Sequence, residues 1–186
     1  EVGADTPGFL EALRRALRQD PDVIMVGELR DLETVKTGLR AADTGHVVYS
    51  TMHTTNAAQT VQRMIALFPP NERELLLTQL ASNLAAVISQ RLARTRDGKG
   101  LIPVLEVLRT SPVVRKMIME NRPSALPQAM ANREQGMQLF DVHLAALFKA
   151  QVVSEAEALR LASNQEALAL AMRGITSADT QPGLVR

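Results

Sequence analysis

The 186-residue sequence has no cysteine and no tryptophan, and its aromatic side chains are limited to Phe9, Tyr49, Phe68, Phe140 and Phe148. Without cysteine, disulfides and thiolate metal sites are excluded. With aromatics at 3% of residues, the core has to be assembled from Leu, Ala, Ile, Val and Met. No pattern of rings interleaved with basic residues exists on which unstacked bases would pile. An excess of one charge is also missing, since 21 Lys and Arg face 20 Asp and Glu for a net charge of +1. That balance argues against a dedicated nucleic-acid domain. No apolar stretch approaches the roughly 20 residues of a membrane-crossing helix. Two nucleotide signatures are absent as well. No Gly-x4-Gly-Lys-Ser/Thr loop occurs, because the one Gly-Lys pair, Gly98-Lys99, is followed by Gly100 in a polar turn. The dinucleotide Gly-x-Gly-x-x-Gly fingerprint is lacking too.

What is present is ordinary globular composition, 46% apolar and 22% charged, enough for one domain with a small appendage. Thr6-Pro7 predicts a helix start, and Phe9, Leu10, Leu13 and Leu17 carry helical spacing to Gln19. Asp20-Pro21-Asp22 ends it. Val23 to Val26 is a continuous apolar run, as in a parallel strand buried on both faces. A helix over 32–42, an exit at Gly45, a strand over 46–52 and a helix carrying Val61, Met64 and Ile65 follow. Beyond Pro69-Pro70 the leucine spacing predicts one long helix over 71–92, then a turn and a strand over 101–107. Short helices come next, over 113–120, 126–131, 137–149, 154–162 and 165–172, with Ser154 and Glu157 forming a capping box. The fold class is α/β, organised as a core over 1–108, a helical part over 109–175 and a tail over 176–186.

Two constellations carry chemistry. Asp20 to Asp31 is an apolar strand running into Gly27-Glu28-Leu29-Arg30-Asp31. A carboxylate at the carboxyl edge of a sheet can orient water or help hold magnesium beside phosphates. The alternative is a buried strand followed by an ordinary acidic loop. The second runs from Thr44-Gly45-His46 to Ser50-Thr51-Met52-His53-Thr54-Thr55-Asn56. His46 and His53 stand about 23 Å apart on an extended strand, too far to share a metal. The polar residues at the strand exit and helix start suit phosphate, against the alternative of N-capping hydroxyls with a surface histidine. Arg15, Arg18, Arg91, Arg94 and Arg96, spread over separate elements, read as subunit or solvent contacts. His143, beside Asp141, reads as structural.

The joined blocks resemble the motor ATPases that retract bacterial type IV pili, within the secretion ATPase superfamily. Leu13-Arg14 through Asp20-Pro21-Asp22 to Gly27-Glu28-Leu29-Arg30-Asp31 resembles the family's Walker B region, and Thr44-Gly45-His46 through Met52-His53-Thr54 its histidine box. Glu1-Val2-Gly3 with Asp5-Thr6, Ser89-Gln90-Arg91-Leu92, and Gly136-Met137-Gln138 with Phe140-Asp141 match further segments. The resemblance implies the C-terminal part of a RecA-like P-loop ATPase domain followed by a helical appendage, using ATP and Mg2+. Glu28 would then be the catalytic residue, polarising the attacking water. His46 and His53 would couple nucleotide state to structure, and Asp20, Asp22, Arg30 and Thr51 would line the active-site edge. It further implies a homo-hexamer acting on the pilus inner-membrane platform protein, cytoplasmic and peripheral to that membrane, with no nucleic acid partner. The assembly and type II secretion relatives carry a tetracysteine zinc segment where this chain has Arg94 to Leu101, so no structural zinc is implied. Val113 to Glu120 aligns with an appendage motif in which Arg115 and Glu120 match and Met119 replaces an arginine, a departure that leaves room for an accessory retraction paralogue. An assembly or secretion ATPase of the same superfamily, or a non-catalytic ring scaffold, would also fit these residues. Because the family's Walker A loop would precede Glu1, the chain is expected to be a fragment, cut within the ATPase domain and inactive alone.

Overall fold

The computed structural model describes residues 3–19 and 21–175; Asp20, Glu1-Val2 and the tail expected over 176–186 lie outside the described residues. Packing divides the chain into two compact units, Glu1–Val87 with Arg109–Ala129, and Ile88–Leu108 with Met130–Arg186. This is a different division from the linear segments 1–108 and 109–175.

In the first unit, α1 (Phe9–Ala16) runs into a 3-10 turn (Leu17–Gln19), followed by β1 (Val23–Val26), α2 (Leu32–Asp43), β2 (Val47–Ser50), α3 (Ala57–Ala66) and α4 (Arg73–Asn83). Strands β1 and β2 pair in parallel, from Val23 opposite Val47 to Val26 opposite Ser50. A connection through a helix between parallel neighbours is what the short loops and the 32–42 periodicity require. Leu13 of α1 and Ala41 of α2 pack on Ile24 and Val26, forming one buried cluster. The expectation that β1 is buried on both faces does not hold. Val23, Met25, Val47 and Tyr49 are exposed, because among the described residues helices cover only one side of this pair. The Thr6 cap is also corrected. The cap of α1 is Gly8, and the Thr6 hydroxyl donates instead to the Gly8 carbonyl at 3.0 Å. Gly45 does close α2, at φ 97°, a conformation in which a side chain is strained.

Helix α4 ends at Asn83, with Leu84 extended, so the helix predicted over 71–92 is really a helix and a strand. β3 (Ala86–Arg94) then alternates: Ser89 and Ala93 are buried while Ile88, Gln90, Leu92 and Arg94 are exposed. Leu84, Val87 and Ile88 imitate helical spacing, but β-branched neighbours on an alternating segment prefer the pleated conformation. The last element of this unit to form a full helix is α5 (Pro112–Met119), started by Ser111, whose hydroxyl accepts the Val114 amide. Its Val114 and Ile118 are buried, as are Leu76 and Leu80 of α4, on which it packs.

The second unit joins the hairpin of β3 and β4 (Leu101–Arg109) to α7 (Phe140–Lys149), α8 (Glu155–Leu161) and α9 (Gln165–Met172), while the short α6 (Leu126–Ala131) straddles the division. Its core is Ala93, Val104, Phe140, Leu144, Val153, Ala158 and Leu168. Arg91 takes part in this packing. Its guanidinium lies 3.9 Å from the Phe140 ring centre and donates to the Leu161 carbonyl. His143 Nδ1 accepts the Leu105 amide at 2.9 Å, a structural tie between α7 and β4.

Ser154 caps α8 by accepting the Glu157 amide at 3.2 Å, but the Glu157 carboxylate does not complete the box. It accepts the Arg94 amide and a forked pair from Arg160, each at 2.7 Å. The Arg160 hydrogen bonds, helped by Arg94 and opposed by burial, hold this carboxyl down to about 2 from an ordinary 4.5. A depressed carboxylate contributes its stability in full above its unfolded value and loses it as pH falls through the folded one. Replacing Glu157 with Gln should therefore cost about 1–2 kcal/mol at pH 7, less than the full linkage because Arg160 is solvent-exposed. In denaturant titrations the gap between variant and parent should shrink from pH 4.5 down to about 2. A gap independent of pH would show that the charge contributes nothing.

Candidate active-site edge

Two parallel strands emerge side by side at their carboxyl ends, where open α/β sheets gather their chemistry. Past the last ladder pair the chains stay tied. The Thr51 hydroxyl donates to the Gly27 carbonyl at 2.6 Å, and the Leu29 amide donates to the Thr51 carbonyl at 3.0 Å. Glu28 sits between those two peptides. Its Oε2 lies 2.7 Å from Arg30 Nε and its Oε1 lies 3.1 Å from His53 Nε2. The carboxylate side chain is 21% exposed, against 74% for Arg30 and 78% for His53. A partly sheltered carboxylate thus has two cationic or donor groups on its solvent side.

The loop after β2 is strapped down. Arg63 of α3 donates Nη1 to the His53 carbonyl at 2.8 Å, and Thr54 and Thr60 share a hydroxyl hydrogen bond of 2.6 Å. Asn56 accepts the Gln59 amide, while Gln59 Oε1 accepts both the amide and the hydroxyl of Thr55. The start of α3 is therefore served by its own side chains, and the polar cluster read at this point divides. Thr54 and Asn56 serve the helix, whereas the Thr51 hydroxyl holds the Gly27 carbonyl and His53 meets the Glu28 carboxylate. Asp31 likewise caps α2, accepting the amide and hydroxyl of Thr34.

The other expected site residues lie elsewhere. The Asp22 carbonyl accepts the Val47 amide at the N-terminal end of the strands, and His46 Nδ1 there meets Thr44 Oγ1 and the Ala41 carbonyl, each at 3.1 Å. Both are a strand's length from Glu28. Asp20 lies outside the described residues. Arg115 is exposed on α5, and Glu120 at its end pairs with Arg122 at 3.1 Å. Arg63 and Gln59 were missed from the sequence. The direction of helical side chains is the signal that could have found Arg63, since they lean toward the helix N-terminus and Arg63 stands two turns after Asn56.

Among the described residues no three His, Asp or Glu side chains gather to hold a metal ion. With Asp31 committed to capping α2, Glu28 alone of this loop's carboxylates faces Arg30 and His53, which fits magnesium only in a shell completed by phosphate and water. Chemically, the cluster can accept a proton from water at Glu28 and meet an anion with Arg30 and His53.

A model of the family described as Type II/IV secretion system protein matches residues 5–175. A twitching motility protein of Neisseria gonorrhoeae is 42% identical over 169 residues, 90% of this chain and 45% of that protein. The type IV pilus ATPase PilU of Pseudomonas aeruginosa is 38% identical over 174 residues, 93% of this chain and 46% of that one. The crystal structure of the pilus retraction motor PilT with bound ADP superimposes with a TM-score of 0.79 at 40% identity, covering 89% of this chain and 47% of the other. The chain spans about half the length of these relatives, and the α/β class read from the sequence is the RecA-like arrangement of parallel and antiparallel sheets flanked by helices. By a match that runs through nearly all of its length, the chain belongs to the Type II/IV secretion system protein family.

Proposed function

We propose that this chain is the carboxyl-side part of an ATP-hydrolysing motor that retracts type IV pili. The observation that carries the reading is the placement of Glu28 at the exit of β1, between Arg30 and His53. In this reading Glu28 polarises the attacking water, and Arg30 and His53 turn toward the phosphates. Mg2+ bound with ATP would supply charge neutralisation at the transferring phosphoryl group. His46, at the other end of the strands, joins His53 in coupling nucleotide state to neighbouring structure, and Asp20 and Asp22 are the acidic positions that precede Val23 in the sequence. Arg115 of α5 and Glu120, which caps that helix, belong to the appendage motif. The phosphate-wrapping loop would come from outside these 186 residues, which contain none.

Support for a larger protein comes from the uncovered strand faces. Met25 is 76% and Tyr49 62% exposed, yet parallel sheets are normally covered on both sides. The working form is a homo-hexamer that acts on the inner-membrane platform protein of the pilus from the cytoplasmic side, without nucleic acid or structural zinc. Among the described residues no helix is long and apolar enough to cross a membrane. Met119, at the position of the second arginine of the appendage motif, leaves room for an accessory retraction motor as the second reading, although Arg30 to Thr34 resembles the principal one.

Phosphate release distinguishes these claims from a ring scaffold. The full-length protein should turn over ATP, and the 186-residue chain alone should not. Turnover by the isolated chain, abolished by Glu28→Gln, would overturn the fragment reading. A full-length protein that binds but never hydrolyses ATP would overturn the motor. Deletion should leave hyperpiliated cells that do not twitch; cells without pili would point to an assembly motor.

A further inference from the structure

We infer that Thr51 is a positioning residue for Glu28, holding the peptides on both sides of that carboxylate rather than touching the nucleotide. The inference rests on the reading of Glu28 as the group that polarises water. The parallel ladder of β1 and β2 ends at Val26 and Ser50, so Gly27 and Thr51 occupy the point where the strands would part. Thr51 keeps them together in two ways. Its carbonyl accepts the Leu29 amide at 3.0 Å, and its hydroxyl donates to the Gly27 carbonyl at 2.6 Å. The first is a backbone bond that any residue would make. The second needs a hydroxyl.

That second bond falls where restraint is scarcest. Gly27 carries no side chain, and among the described residues nothing beyond its two chain neighbours lies within 4 Å of the place where its Cβ would stand. No side chain of its own anchors the residue, and glycine has the greatest conformational freedom to lose. Holding its carbonyl fixes the direction in which Glu28 leaves the strand. Small errors in the placement of a reacting group are costly, of order a hundredfold for about 1 Å.

The same geometry argues against a nucleotide contact. A hydroxyl has one proton to donate, and Thr51 has given it to Gly27. Phosphate oxygens are acceptors, so Thr51 can reach one only by releasing Gly27.

The test uses the full-length protein and the conservative series at this position. Thr51→Val keeps the shape and deletes the hydroxyl; it should lower kcat about tenfold and leave KM for ATP within about twofold. Thr51→Ser, which restores the donor, should return kcat to within about threefold of the parent. In a Glu28→Gln background, Thr51→Val should produce no further loss, because the residue acts only through the carboxylate. Should the valine variant fail to fold, Thr51→Ala deletes the same hydroxyl and takes its place. Full kcat in the valine variant, a raised KM with unchanged kcat, failure of serine to rescue, or an additive loss in the Gln background would each overturn the assignment. Full turnover by Glu28→Gln alone would instead overturn the reading of the site. A slow Glu28→Gln beside a full-rate Thr51→Val would overturn only the role of Thr51.

Discussion

Glu28→Gln in the full-length protein should lower ATP turnover by about a hundredfold to a thousandfold while leaving nucleotide affinity within about twofold. The amide matches the carboxylate in size and can still accept from Arg30 Nε, which lies 2.7 Å from Oε2. What it cannot do is take a proton from water. Losing the charge should not disturb the fold. The two partners, Arg30 and His53, are 74% and 78% exposed and return to solvent rather than being stranded in a core. Exposed ion pairs of this kind contribute about 0–1 kcal/mol. Phosphate release measures the chemistry, and a fluorescent nucleotide titration measures binding. Equal loss of both would make Glu28 a structural residue. Turnover at the parental rate would place the base elsewhere.

The second large effect is expected in the other compact unit. Phe140→Ala should destabilise it by about 3–5 kcal/mol, the range for deleting a buried ring. Phe140 is 1% exposed, opens α7, and belongs to the cluster with Val104, Leu144, Val153 and Leu168. The guanidinium of Arg91 stacks 3.9 Å from its centre, adding about 0.5–2 kcal/mol of cation–π attraction. Its removal would leave both a cavity and an arginine whose remaining ties are the Leu161 carbonyl and Ser163. Phe140→Leu keeps most of the volume and should cost about half as much. Two compact units make a single unfolding midpoint an unsafe measure, so hydrogen exchange should follow the change locally. Loss of protection is expected in β3, β4 and α7 to α9, with β1, β2 and α2 retaining theirs. A cost below about 1 kcal/mol would show that the surrounding leucines and valines collapse into the space.

The local architecture was legible wherever neighbouring residues settle it. Val23 to Val26 followed by Gly27 and Glu28 marks a strand that delivers a carboxylate, and Ser111-Pro112 marks the start of α5. Both are short-range signals, of hydrophobic run and of cap. The spacing of His46 and His53 already put them at opposite ends of β2, where they are found. Where a short segment carries two compatible periodicities, sequence reading failed. Leu84, Val87 and Ile88 continue a helical stripe on paper, yet residues 86–94 pair with β4 and alternate. Pairing, which contributes backbone hydrogen bonds along the whole strand, outweighs a stripe of three residues.

Arg91 illustrates the same limit for a single side chain. Nothing next to it in the chain announces Phe140 or the Leu161 carbonyl, which lies 70 residues away. The scarcity of aromatic residues follows the same logic. Composition alone says that the core is aliphatic, but only the packing shows that one of the few rings lies at the centre of the second unit, beneath an arginine.

The site divides in the same way. By itself the sequence determined that Glu28 follows an apolar strand and that His53 precedes a helix, because those facts depend on residues a few positions away. Only the tertiary structure decided that β1 and β2 lie side by side, with the Thr51 hydroxyl on the Gly27 carbonyl and His53 against Glu28. Strand partnership is a non-local choice made by the burial of whole faces. A periodicity can show that a segment is a strand without showing which strand it joins.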